Sequence, residues 1–145
     1  MTGGAGRAGP GVEAVLETAL YVDDFERALA FYDRLFGFPH LIESPTLVAL
    51  DVSGRSVLLL FKRGGSSREQ ALPGGVIPAH DGHGPLHMAF SIAADALGPW
   101  ELKLEEQGIP VEGRMTWPLG GLSVYFRDPD GNLLELVTPR VWATY

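Results

Sequence analysis

Three residues of this sequence have side chains that could bind a divalent metal ion together: Glu17, His87 and Glu135. Because the chain contains no cysteine, any metal must be held by His, Asp or Glu. One imidazole with two carboxylates suits Mn, Fe, Ni, Co or Zn. Three protein ligands leave coordination positions free for water or substrate, as in catalytic rather than structural sites. These residue types therefore predict a catalytic metal centre.

Each of the three residues also has a simpler explanation. Glu17 could be an exposed strand residue, and His87 could be a hydrogen-bonded histidine of the core. Glu135 lies between Leu134 and Leu136, where a lone carboxylate is costly unless it is paired, hydrogen-bonded or bound to a metal. What favours a shared site is the position of the three residues in an internal repeat of the chain.

The repeat consists of two modules that each read strand, helix and three strands. In the first, residues 12–22 predict a strand containing Glu17, and Asp23 or Asp24 can cap the helix that follows, which Gly37 ends. Three further strands are predicted at residues 39–43, 47–52 and 56–62.

In the second module, residues 86–92 predict a strand containing His87, and a helix over 94–107 ends at Gly108. The predicted strands that follow are 109–116, 122–127 and 133–138, the last two joined by a turn at 128–132. Glu17 and His87 therefore open equivalent strands. Because the first hairpin offers Leu58 or a neighbouring leucine where the second offers Glu135, three protein ligands are predicted, not four.

The repeat also sets the predicted boundaries. Residues 1–11 are rich in Gly and Ala and predict a disordered leader without the apolar segment of an export signal. The remaining segments are a first module at 12–63, a linker loop at 64–84, a second module at 85–140 and a tail at 141–145. A loop as long as the Gly- and Pro-rich linker is usually functional or a module boundary.

Composition narrows the possible partners and location. Hydrophobic residues make up 46% of the chain, which is ordinary for a globular protein. The net charge of -7 argues against binding to nucleic acid or to an anionic membrane surface. The absence of cysteine and of an export signal predicts a cytoplasmic protein.

Four further residues are candidates for contacting a substrate. His80 lies in the linker near the expected mouth of the site, although a solvated loop histidine is the default. Trp117 and Tyr125 could line a ligand pocket or pack in the core. Arg127 could bind an anionic substrate or pair with an aspartate of the neighbouring turn.

Several stretches of the chain resemble the vicinal oxygen chelate superfamily, the group of glyoxalases, bleomycin resistance proteins and extradiol dioxygenases. The resemblance rests on ETALYVDD at 17–24, on AFY and LFG at 30–37, on LHMAF at 86–90 and on FRDPDGNLLEL at 126–136. It implies an α+β fold of two βαβββ modules that form a cupped mixed sheet around a divalent metal, and it implies a homodimer.

The resemblance also assigns the ligands by position. The ligand of the opening strand, usually His in this family, falls on Glu17, the second-module His on His87 and the closing Glu on Glu135. The carboxylate at position 17 departs from extradiol dioxygenases, which typically use two His and one Glu, and the leucines near Leu58 depart from the four-ligand glyoxalase I pattern.

Two functions follow as hypotheses. In the first, the chain is a metal-dependent lyase, isomerase or dioxygenase whose metal chelates a small oxygenated substrate, with Glu17 or Glu135 also accepting a proton. In the second, it binds a drug or metabolite without a metal, as some superfamily members do.

Overall fold

The computed structural model describes residues 9–145, so residues 1–8 of the predicted leader lie outside the described part. The helices within it are α1 (Phe25–Leu35) and α2 (Leu97–Glu106). The strands are β1 (Glu17–Val22), β2 (His40–Glu43), β3 (Leu47–Val52), β4 (Ser56–Lys62), β5 (Gln70–Leu72), β6 (Gly75–Ile77), β7 (His87–Ser91), β8 (Gly113–Thr116), β9 (Leu122–Arg127) and β10 (Leu133–Val137).

The predicted duplication and the α+β class are confirmed. One module runs β1-α1-β2-β3-β4 and the other β7-α2-β8-β9-β10. Each forms a four-stranded mixed sheet, with orders β1-β4-β3-β2 and β7-β10-β9-β8. In both, the first strand pairs in parallel with the last, and the other pairings are antiparallel. Within residues 9–145 the two sheets are not hydrogen-bonded to each other, and β1 and β7 each form an edge of their own sheet.

Several predicted boundaries are wrong by a few residues. β1 begins at Glu17 instead of residue 12, since residues 12–16 are exposed, although the Leu16 carbonyl still accepts a hydrogen bond from Val57 N (3.0 Å). The predicted strand at 109–116 shortens to β8, and the predicted helix at 94–107 shortens to α2, which has no side-chain hydrogen bond at its N-cap. Single hydrogen bonds continue beyond the assigned strands, as from Glu112 N to the Tyr125 carbonyl (2.8 Å) just before β8, so the ends of these elements are gradual.

The start of α1 is fixed by Asp24 rather than Asp23. The Asp24 side chain accepts hydrogen bonds from the backbone N–H groups of Glu26 (2.9 Å) and Arg27 (3.4 Å), two of the donors that a helix start leaves unpaired. Gly37, with a φ of 66°, follows the helix in the left-handed conformation that glycine adopts without steric cost.

The linker is not a structureless loop. It contains the short antiparallel hairpin of β5 and β6, all of whose residues are exposed. The base of the linker is closed by two hydrogen bonds, from His80 N to the Ser66 carbonyl (2.8 Å) and from Gly64 N to the Asp81 carboxylate (3.0 Å). His80 is therefore held in place where the linker returns to the first module.

The two modules share one hydrophobic core. Its fully buried members come from both modules, among them Leu20 and Leu60 of the first and Phe126 and Leu136 of the second. Strand residues alternate between faces, so Leu20 and Val22 of β1 point into this core while Glu17 lies on the opposite face. The face away from the core is the one available for a site.

Within residues 9–145, neither helix has the length and apolar character that crossing a membrane requires.

Candidate metal centre

The second module brings His87 and Glu135 together. His87 is the first residue of β7, and Glu135 lies at the middle of β10, the strand that pairs with it. The two side chains share the face opposite the core, and His87 Nε2 lies 3.2 Å from Glu135 Oε1. The carboxylate is nearly buried, with 9% of its side chain exposed, whereas the imidazole is half exposed at 51%. The pair therefore has one buried and one accessible side.

The hydrogen bond on the other side of the imidazole fixes its chemistry. His87 Nδ1 lies 2.9 Å from the Leu133 carbonyl oxygen, which can only accept, so Nδ1 carries a proton. Nε2 is then the nitrogen that faces the Glu135 carboxylate, and both atoms are of a kind that binds divalent metal ions. A metal-ligating histidine commonly donates its other N–H to a carbonyl in this way.

The second oxygen of Glu135 is held by a hydrogen-bond chain. The Ser123 hydroxyl donates to Glu135 Oε2 (2.5 Å), and the Trp117 indole N–H donates to Ser123 Oγ (2.8 Å). Ser123 is buried on β9, next to β10. These partners meet the requirement that a buried carboxylate be hydrogen-bonded.

Tyr125 completes the surroundings of the pair. It lies opposite Glu135 in the β9–β10 register, and its ring centroid is 6.3 Å from that of His87. Burial and the neighbouring negative charge of Glu135 raise the pKa of the Tyr125 phenol above its ordinary value. Tyr125 thus stays protonated at neutral pH and can donate a hydrogen bond.

Glu17 occupies the position in the first module that His87 occupies in the second. Each begins its strand and lies opposite the first paired position of the closing strand, Val57 for Glu17 and Leu133 for His87. By the same register the counterpart of Glu135 is Leu59, so an apolar residue there is confirmed, one position beyond the expected Leu58.

Glu17 and His87 line one cavity of about 910 Å³ between the edge strands β1 and β7. Among the described residues, however, no three His, Asp or Glu side chains are close enough together to hold one ion. The single chain therefore joins His87 to Glu135 but does not bring Glu17 to them.

His80 packs against two aromatic residues on the open face of the first sheet. Tyr21 and Phe61 are register partners on β1 and β4, and their rings stack at 5.7 Å. His80 meets the Phe61 ring edge-on at 4.5 Å, and its Nδ1 lies 2.8 Å from the Tyr21 hydroxyl. The linker thus adds a histidine to an aromatic surface on the same face as Glu17.

Arg127 and Trp117 have partners within the chain. The Arg127 guanidinium contacts Glu112 Oε2 (3.0 Å) and the Gly131 carbonyl (3.1 Å), not the aspartates of the turn. Trp117 follows β8, and its ring nitrogen is engaged by Ser123.

Two features of the site were missed by sequence reasoning. Ser123 is two residues before Tyr125 on the same strand, so the period-two alternation of β9 could have placed it on the face of Glu135. The contact of His80 with Tyr21 and Phe61 has no such indication, because it depends on the path of the linker.

The comparisons with known proteins agree with this architecture. Residues 14–136 match the family model described as the glyoxalase/bleomycin resistance protein/dioxygenase superfamily. The chain belongs to this superfamily, which is the vicinal oxygen chelate superfamily.

Its relatives include named enzymes. The chain is 31% identical over 122 residues to a metallothiol transferase FosB of Bacillus licheniformis, covering 83% of this chain and 72% of that protein. It is 27% identical to a FosB of Lysinibacillus sphaericus, covering 88% and 83%. The crystal structure of a lactoylglutathione lyase from Agrobacterium tumefaciens superposes with a TM-score of 0.83 at 39% identity, covering 92% of this chain and 99% of that one.

Proposed function

We propose that this protein is a divalent-metal-dependent enzyme that acts on a small oxygenated substrate. The observation that carries the proposal is the pair of His87 Nε2 and Glu135 Oε1, two metal-ligand atoms 3.2 Å apart with their other sides already hydrogen-bonded. Glu17, at the equivalent position of the first module, is the third ligand and comes from the second copy of a homodimer, since one chain does not bring it to the pair. The donor set suits Mn, Fe, Ni, Co or Zn.

The ligands and their neighbours have distinct roles in this proposal. A bound divalent ion would act as a Lewis acid and stabilise negative charge on a substrate oxygen. The Tyr125 hydroxyl is placed to donate a hydrogen bond to a substrate beside His87. Glu17 is an exposed carboxylate without a side-chain hydrogen bond or ion pair among residues 9–145, and it can accept a proton from the substrate, as can Glu135.

The walls of the site come from both modules. Tyr21, Phe61 and His80 form an aromatic surface on the first, where the His80 ring offers a nitrogen for hydrogen bonding to substrate. We propose that Trp117 lies at the edge of the site and influences it through its hydrogen bond to Ser123. Arg127 could bind an anionic substrate only through the guanidinium N–H groups that do not already contact Glu112 and Gly131.

The reaction class stays open between several chemistries. A lyase, an isomerase or a dioxygenase could each use a chelated oxygenated substrate, and the names of the relatives support lyase and transferase chemistry. We further propose that the protein acts in the cytoplasm as a homodimer.

The alternative function is metal-free binding of a drug or metabolite. The aromatic surface of Tyr21 and Phe61 favours this function, because aromatic side chains bind apolar ligands without catalysing a reaction. In that case His87 and Glu135 contact each other directly, with no ion between them.

Metal analysis distinguishes the two functions. Protein freed of metal is titrated calorimetrically with Mn²⁺, Fe²⁺, Co²⁺, Ni²⁺ and Zn²⁺. We expect one ion to bind per chain. We expect His87→Ala and Glu135→Ala to weaken binding by more than the roughly 10- to 100-fold that the loss of a ligand's hydrogen-bonding partner costs, because each removes a ligand itself.

Two matched controls accompany these variants. His83→Ala removes an exposed loop histidine whose ring is hydrogen-bonded to the Gly84 carbonyl, and Glu13→Ala removes an exposed carboxylate upstream of Glu17. Both control variants should bind metal with the wild-type affinity, whereas Glu17→Ala should lose metal affinity. A wild-type protein that takes up none of the five ions would refute the metal-dependent function.

A further inference from the structure

We propose that Ser123 is a positioning residue of the metal centre. Its hydroxyl holds Oε2 of Glu135 and leaves Oε1 as the single oxygen with which this carboxylate binds the ion. The inference rests on the proposed function and goes beyond it, because it assigns different tasks to the two carboxylate oxygens and names the residue that separates them.

The direction of the hydrogen bonds supports this assignment. The Trp117 indole N–H can only donate, and it donates to Ser123 Oγ at 2.8 Å. The single hydroxyl proton of Ser123 then points to Glu135 Oε2, at 2.5 Å. Trp117 thus restricts the rotation of the Ser123 hydroxyl, which in turn restricts the carboxylate.

Burial makes this restraint effective. As whole residues, Ser123 is 1% exposed and Glu135 is 7% exposed, so water cannot readily replace the Ser123 hydroxyl as a partner of Glu135 Oε2. The last torsion of a glutamate side chain has a broad, roughly two-fold distribution, so the carboxylate plane is otherwise free to turn. With Oε2 held on the buried side, Oε1 faces His87 Nε2 on the accessible side.

Removing the hydroxyl should therefore weaken metal binding without removing a ligand. In Ser123→Ala the carboxylate loses the partner of Oε2 and keeps the neighbouring Tyr125 phenol, and the Trp117 N–H loses its acceptor. Partners of metal ligands typically contribute about 10- to 100-fold to affinity. We expect a loss of that size, and a smaller, several-fold loss in Trp117→Phe, because the hydroxyl remains but is less restrained.

Thr138→Val is the matched control. Thr138 is also buried, and its hydroxyl accepts from Leu122 N (2.8 Å) beside the same pair of strands, but it does not contact Glu135. The control should lose stability, since it leaves a backbone N–H unpaired, and should keep the wild-type affinity.

The experiment measures metal affinity by calorimetric titration and thermal stability of each metal-free variant. The proposal expects Ser123→Ala to lose affinity and Thr138→Val to keep it, at similar losses of stability. The visible absorption of the Co²⁺ form adds a second readout, because a carboxylate that binds through both oxygens raises the coordination number and changes the spectrum.

The outcomes separate the two proposals. If the wild type binds no ion, the proposed function fails. If the wild type binds and Ser123→Ala binds equally well, or if Thr138→Val loses as much affinity, the positioning role is overturned while the metal centre stands. If circular dichroism shows that Ser123→Ala is unfolded, Trp117→Phe and Ser123→Thr replace it in the test. An unchanged metal affinity in Trp117→Phe overturns the positioning role, and so does a folded Ser123→Thr that binds no metal.

Discussion

Tyr32 of α1 connects the first module to the second. Its hydroxyl donates to Asp128 Oδ2 (2.7 Å), and both residues are buried. Burial and the negative charge of Asp128 hold the pKa of Tyr32 well above its ordinary value, so the phenol stays a donor. Asn132 also donates to Asp128 through its backbone N–H and its side-chain amide, both at 2.9 Å.

Removing the Tyr32 hydroxyl should therefore destabilise the whole fold. Tyr32→Phe leaves Asp128 Oδ2 with Asn132 as a remaining partner, so we expect a loss of about 1.5 kcal/mol in the free energy of unfolding, as for a hydrogen bond to a charged group. Urea denaturation measures it. Tyr145→Phe, at an exposed position of the tail, is the control and should change stability by less than about 0.5 kcal/mol; equal effects of both substitutions would contradict the role of Tyr32.

Single residues were predictable where chemistry and repeat agreed. Glu135 stood out as a carboxylate between buried leucines, and His87 as the opening residue of a repeated strand, and the structure brings the two together. Asp128 and Asp130 were expected only to form a turn. They also reach the first module, where Asp130 contacts Arg27 at 3.2 Å, because a turn signature gives no information on what packs against it.

At the scale of elements, the order of strands and helices could be predicted but their ends could not. Periodicity and turn residues indicated both βαβββ modules, since alternation and helical spacing are local properties. The β5–β6 hairpin was missed because its strands have three residues each, too few for a period to appear. The approach of His80 to Tyr21 was equally inaccessible, since it follows from a non-local loop closure.

The joint between α1 and β2 should depend on pH. His40 Nε2 lies 2.7 Å from Asp33 Oδ1, and Nδ1 lies 3.5 Å from Glu43 Oε1. The hydrogen bond to Asp33 is the main reason why the pKa of His40 is raised. A raised folded-state pKa gives stability that is fully present below the unfolded-state value of about 6.5 and is lost as pH rises through the folded-state pKa.

His40→Gln should therefore cost more stability at pH 5.5 than at pH 8.5. Because the pair is partly exposed and screened, the difference should be a few tenths of a kcal/mol. Urea denaturation at both pH values tests it, with His83→Gln as the control, since that exposed ring is hydrogen-bonded to a backbone carbonyl rather than to a carboxylate. A His40→Gln effect that is the same at both pH values would contradict the ion-pair explanation.

At the scale of the whole molecule, the chain leaves the edges of both sheets open. Within the described residues 9–145, β1 and β7 each lack a strand partner on one side, and exposed sheet edges readily pair with another chain. Glu17 lies on the first edge, and the His87–Glu135 pair lies at the second. In a two-fold dimer, Glu17 of one copy could therefore meet His87 and Glu135 of the other, and two identical sites would result.

Mixing two inactive variants tests this arrangement. Glu17→Ala and His87→Ala homodimers should each fail to bind metal. If the sites are shared between copies, a mixed dimer has one site that carries both substitutions and one intact site. The intact site combines Glu17 of the His87→Ala chain with His87 and Glu135 of the Glu17→Ala chain. After the two are unfolded and refolded together at equal amounts, we expect about one quarter of the sites to bind metal, because half of the dimers are mixed and half of their sites are intact. Differently tagged chains show by co-purification that mixed dimers form; mixed dimers without any recovered binding would mean that Glu17 does not act across the dimer.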